Sequence, residues 1–162
     1  MAGQGLEQMY ARHAELAAAD ERALKARILG RRESFDPQCL FLLSETFIDT
    51  IVRSASSCCM DCAAVLEEAV LVTEEARDYE KAFLRYHGIG IRFTDRARNR
   101  LIWRTLAEDA DAVKLLRELF SNYQHGLKLI RERTGCSAFD IDVQAIDNPQ
   151  DYLNGLIKES YR

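Results

Sequence analysis

Tyr79-Glu80-Lys81-Ala82-Phe83-Leu84-Arg85-Tyr86-His87-Gly88-Ile89-Gly90-Ile91-Arg92-Phe93-Thr94-Asp95 is the stretch in which the chain changes its period. Leading into it, Cys62, Val65, Ala69, Val72, Ala76, Tyr79, Phe83 and Tyr86 recur at alternating steps of three and four. That heptad spacing predicts a long helix packed closely along a neighbour. Gly88 is a residue on which such a helix ends. Ile89, Ile91 and Phe93 then alternate with Gly90 and Arg92, which predicts a short strand over 89–93 with one apolar face. Thr94 offers a hydroxyl able to cap the next helix, expected from Asp95 to about Leu106.

Downstream, a helix starting near Asp111 sets Ala112, Leu115, Leu116, Leu119, Tyr123, Leu127 and Ile130 on one face and runs as one element to Thr134-Gly135. Phe139, Ile141 and Val143 alternate with Asp140 and Asp142, predicting a second strand over 139–143 that pairs with the first. Asn148-Pro149 supplies a cap and a first-turn proline for a last helix holding Tyr152, Leu153, Leu156 and Ile157.

Upstream, Leu6, Met9, Tyr10, His13, Leu16, Ala17, Leu24 and Ile28 have helical spacing, with Gly30 as a stop. Asp36-Pro37 opens a further helix with Leu40, Phe41, Leu43, Phe47, Ile48, Ile51 and Val52 on one broad face, and Ser54-Ala55-Ser56-Ser57 reads as a loop. The fold class expected is mainly α with a minor two-stranded β element, an α+β chain of long helices around a small sheet. The domains expected are an N-terminal helical segment over 1–55 and a helical domain with two short strands over 56–162.

Composition bounds the function. The 162 residues are 48% hydrophobic and 30% charged, enough to bury a core. Two prolines and eight glycines over this length favour long elements over many turns. A net charge of −4 disfavours nucleic acid as a partner. Met1 to Gln8 lacks the apolar stretch and basic flank of a signal peptide, and no apolar run is long enough to span a bilayer. The expected location is the cytoplasm, away from membranes.

The run from Glu74 to Arg104, centred on Tyr79-Glu80-Lys81-Ala82-Phe83 and Gly88-Ile89-Gly90-Ile91-Arg92-Phe93-Thr94-Asp95-Arg96-Ala97, resembles the C-terminal small (lid) domain of Clp-type, ClpX-like AAA+ unfoldases. Ala138-Phe139-Asp140-Ile141-Asp142-Val143 and Asp147-Asn148-Pro149 continue the resemblance, which covers residues 60–162 in order and spacing. It implies a module for subunit contact and relay of nucleotide-driven motion. The family's nucleotide-sensing arginine lies in a Gly-Ala-Arg-Gly-Leu-like run, matched here by Tyr123-Gln124-His125-Gly126-Leu127. His125, with Lys128 as the nearest cation, is therefore what the resemblance offers for nucleotide sensing. A neutral imidazole does not present the fixed fork of a guanidinium. The family's acidic residue after Thr-Asp is Arg96 in this chain.

No Gly-x-x-x-x-Gly-Lys-Ser/Thr run occurs anywhere in the sequence. The chain is expected to be no enzyme on its own and to bind no cofactor alone. ATP enters only as a ligand of a longer parent protein.

Among chemistry-bearing residues, Arg96, Arg100 and Arg104 share one helical face with Trp103 beside them. The row either meets phosphates or an acidic protein surface or is a solvated face balanced at its ends by Asp95 and Glu108. Cys58-Cys59-Met60-Asp61-Cys62 contains one Cys-x-x-Cys pair, making Cys59 and Cys62 weak metal candidates, with only Cys39 and Cys136 to complete four ligands. Buried structural cysteines are the competing reading. His13, His87 and His125 are dispersed, with no nucleophile at a recognisable spacing. The heptad seam serves either an intramolecular core or a homo-oligomer interface. Two function classes follow: a non-catalytic AAA+ lid-like module contacting a neighbouring subunit, and a free-standing helical adaptor or regulator binding an acidic protein partner.

Overall fold

A computed structural model describes residues 2–30, 47 and 62–162, and the chain divides into two compact units, Met1–Val65 and Leu66–Arg162. In the first unit, α1 spans Ala2–Gly30. The helix expected from Asp36 lies outside the described residues apart from Phe47, which is helical and buried.

The second unit follows the order read from the sequence until its middle. Helix α2 spans Cys62–His87 and buries Leu66, Ala69, Val72, Ala76 and Phe83. Thr73, also on the buried side, satisfies its hydroxyl by donating to the Ala69 carbonyl at 2.8 Å. The seam stops short of its last expected member, because Tyr86 is exposed. Gly88 closes the helix at φ +64°, its N–H donating to the Leu84 carbonyl at 2.8 Å. A side chain there would be strained in the left-handed region.

Strand β1, Gly90–Phe93, pairs in parallel with β2, Ala138–Ile141, in the register Gly90↔Ala138 to Phe93↔Ile141. The fold is thus mainly helical with one small two-stranded sheet. The second strand is shorter than the expected 139–143. Asp142 is extended at φ −93° and ψ 174°, and Val143 already begins helix α6. The ladder ends there because its partner ends too: Thr94 turns into the next helix, and its hydroxyl donates to the Asp142 carboxylate at 3.0 Å.

Helix α3 spans Asp95–Glu108, started by the Thr94 hydroxyl, which accepts the Ala97 N–H at 3.2 Å. It ends on Asp109, a non-glycine residue at φ 47°. The single helix expected from Asp111 to Thr134 is divided into α4, Ala112–Leu119, and α5, Tyr123–Thr134. Exposed Ser121 and Asn122 occupy the turn between them. These are side chains that compete with helical backbone hydrogen bonds. Periodicity did not register the break, since Phe120 and Tyr123 on either side are both buried.

The remaining helices are α6, Val143–Asp147, and α7, Pro149–Ser160. Helix α5 lies so close to α7 that a Cβ on Gly126 would sit 2.8 Å from the Leu153 methyls.

The core is aromatic at its centre. Phe93 and Phe120 ring centroids are 5.5 Å apart, Phe120 meets Tyr123 edge-on at 4.6 Å, and Tyr79 lies 6.2 Å from Phe120. Around it Ile89, Leu101, Ile102, Leu116, Leu127, Ile141 and Ile146 are fully buried. Each contributes about 1.5–3 kcal/mol by leaving water.

Candidate interaction surface

Thr94 and Asp95 fix the start of α3 and therefore the direction of its outer face. Asp95 stands in the first turn, where a carboxylate suits the helix dipole. Arg96 is exposed, and no carboxylate among the described residues pairs with it. Trp103, two turns along, is 43% exposed.

The other two arginines of the row are not free. Arg100 Nε donates to Asp147 at 2.7 Å, and its guanidinium carbon stands 4.9 Å from the Trp103 ring centroid. Arg104 Nε donates to Glu108 at 2.8 Å, and its Nη1 donates to the Ile146 carbonyl at 2.9 Å. Of the end-balancing expected from Asp95 and Glu108, only Glu108 meets the row; Asp95 lies 3.8 Å from Arg98 instead, and α6 adds a carboxylate at Asp147. Arg100 and Arg104 consequently tie α3 to α6, while Arg96 and Trp103 remain as the outward pair.

His125 and Lys128 lie exposed on α5, on a different helix from the arginine row. Their neighbour Gly126 is the point of closest approach to α7, which gives the glycine of that run a packing role whatever its ligand chemistry. Cys59 lies outside the described residues, and Cys62 begins α2. Cys136 is exposed and unbridged. Among the described residues no cluster of three or more His, Cys, Asp or Glu could hold a metal ion. None of the described helices is long and apolar enough to cross a membrane.

Two features escaped sequence reasoning. Glu80 reaches across to the strand, accepting the Phe93 N–H at 2.7 Å, and lies 3.6 Å from Arg98. It gives a partner to a backbone group that would otherwise be buried unpaired. Burial raises the Glu80 carboxyl above its ordinary value, opposed by the Phe93 hydrogen bond and the Arg98 charge. Only the pairing of a helix with a strand thirteen positions on reveals this role, and no local pattern carries it.

The second feature is a cleft of about 360 Å³ between α2 and α4. Tyr79, Ala82, Phe83, Val113 and Leu116 form its apolar floor and walls. Glu75 and Asp78 stand on its margin, as do Tyr86, His87 and Arg117. The Glu75 carboxyl is pushed up, first by burial and then by the charges of Asp111 and Glu68. Burial also raises the Tyr79 phenol, partly offset by the Arg117 charge. Such a site has the apolar lining and few polar groups of a binding cleft. It offers no nucleophile paired with a base.

No known protein family, curated protein or solved structure matches the chain.

Proposed function

We propose that this chain is a non-catalytic interaction module of the AAA+ lid type, working through subunit contact and the relay of motion driven by nucleotide elsewhere. The observation that supports this reading is the parallel pairing of Gly90–Phe93 with Ala138–Ile141. It brings together the two stretches that carry the resemblance to Clp-type lids. The glycine stop at Gly88, the Thr94-capped helix and the Asn148-Pro149 helix start lie in the same order. Relay suits the way α3 is held: force on Trp103 or Arg96 passes through Arg100–Asp147 and Arg104–Ile146 into α6. The alternative, a free-standing adaptor or regulator for an acidic protein partner, draws on the exposure of Arg96 and of Trp103 two turns along the same helix. ATP belongs in either case to another polypeptide or a longer parent, and the location proposed is the cytoplasm.

Affinity capture from native lysate with the full chain and with an Arg96→Glu/Trp103→Ala variant tests the reading. The expected result is a defined partner lost with the variant, an AAA+ core under the lid reading and a protein without ATPase activity under the adaptor reading. Equal recovery by both baits would defeat the contact role of α3.

A further inference from the structure

We propose that the cleft between α2 and α4 is the receptor for a second copy of this chain, whose Trp103 enters it while Arg96 faces Glu75 and Asp78. The inference rests on the reading of α3 as a contact surface and names its partner.

Both halves of the contact are present on one molecule. The donor face carries an exposed indole, with the cations Arg96 and Arg100 on the same side of the helix. Arg100 is already committed to Asp147, so Arg96 brings the uncompensated charge. The acceptor is an apolar cleft of about 360 Å³, ample for one large aromatic side chain, floored by Tyr79, Phe83 and Leu116. Its margin sets two carboxylates, Glu75 and Asp78, against one guanidinium, Arg117. Glu75 is crowded by Asp111 and Glu68, and Asp78 has only a 3.5 Å contact with exposed Lys81. A guanidinium arriving there relieves like-charge repulsion, and an indole entering the cleft leaves water at an aromatic floor. Buried aromatic anchors flanked by arginine are the side chains that dominate protein interfaces.

Donor and acceptor share no residue, so each copy gives one face and receives the other, either from the same neighbour or from a different one. Reciprocal exchange closes at the dimer, and head-to-tail exchange builds rings or open chains.

Sedimentation equilibrium of the full chain from micromolar to millimolar concentration should show reversible self-association, to a dimer under reciprocal exchange and beyond it under head-to-tail exchange. Trp103→Ala, and separately Glu75→Lys/Asp78→Lys, should each weaken it about tenfold or more. Arg96→Glu provides a second donor-face variant, and circular dichroism checks that all remain folded. The decisive measurement mixes the two crippled species. Trp103→Ala retains an intact cleft and the lysine variant retains an intact tryptophan, so the mixture should form a one-to-one dimer that grows no further. A wild-type chain that stays monomeric overturns the proposal. So does association that survives both variants, which would belong to another surface such as α1, and so does a mixture that fails to restore the dimer. If the wild type is monomeric but capture of a different protein still depends on Trp103, self-recognition falls and the contact module stands.

Discussion

Helix α1 and the unit from Leu66 onward carry the same kind of sequence signal and put it to different use. In α1, Leu6, Met9, Tyr10 and Leu16 recur at helical spacing, and each is more than half exposed. In the second unit, the equivalent spacing along α2, α4 and α5 delivers Val72, Phe83, Leu116 and Leu127 into a closed core. Periodicity thus specifies a helix and its apolar side, but burial needs a partner that periodicity does not name. Helix α1 is rich in alanine, glutamate and arginine, residues that favour helix without tertiary help. The second unit is held by contacts far apart in sequence, and substitutions should feel the difference.

The largest effect is expected at the sheet. Ile91 is buried and sits opposite Phe139 in the ladder. Ile91→Asp removes core packing and buries a charge, costing on the order of 3–5 kcal/mol. Urea unfolding should show the loss in the midpoint of the transition. A change below about 1 kcal/mol would mean that the strand is not a structural centre.

A middle effect is expected at Glu80. Glu80→Ala leaves the Phe93 N–H without its acceptor and should cost about 1–3 kcal/mol, whereas Glu80→Gln can still accept that bond and should cost less. The raised carboxyl pKa sets the sign of the pH dependence. The folded state holds the Glu80 proton more tightly than the unfolded chain does. Its contribution to stability is therefore full below the ordinary carboxylate value and is lost as pH rises through the raised one. Thermal unfolding followed across that window should show a shallower decline for Glu80→Gln, with a residual slope from Glu75, whose carboxyl is raised as well. Identical slopes for the two proteins would remove Glu80 from the linkage.

The smallest effect belongs to α1. Leu16→Gln on its exposed side should change stability by no more than about 0.5 kcal/mol, measured by the same unfolding. A loss comparable to that of Ile91→Asp would erase the contrast between the two regions.

Legibility in the sequence divides along the same line. Gly88, Thr94 and Pro149 mark boundaries through their own chemistry, and each stands at the end or start of an element, whereas Asn148, expected as a cap, makes no side-chain capping hydrogen bond. The break between α4 and α5 was not legible, because the residues flanking it keep helical spacing while Ser121 and Asn122 turn the chain. The arginine row illustrates the limit at the candidate site. Its shared face followed from spacing four, but the engagement of Arg100 by Asp147 joins residues 47 positions apart. No window along the chain displays that pair. The cleft was missed for the same reason, since Tyr79 and Leu116 meet only after the strand and α3 have reversed the chain between them. The helix expected from Asp36 and the cysteines Cys39, Cys58 and Cys59 fall outside the described residues.

The parallel sheet also sets a timetable. Arg92 meets Asp140 in the ladder only after 48 further residues have been joined to the chain. At about 5–20 residues per second, a ribosome takes roughly 2–10 s to supply them. Through that interval Ile91 and Phe93 have no strand beside them, and the aromatic centre lacks Phe120 and Tyr123 until they emerge. Closing so long a loop costs chain entropy before any ladder bond repays it. The newborn protein therefore passes through a stage in which its stickiest segment is made but unsheltered, and how long that stage lasts is set by how quickly those 48 residues arrive.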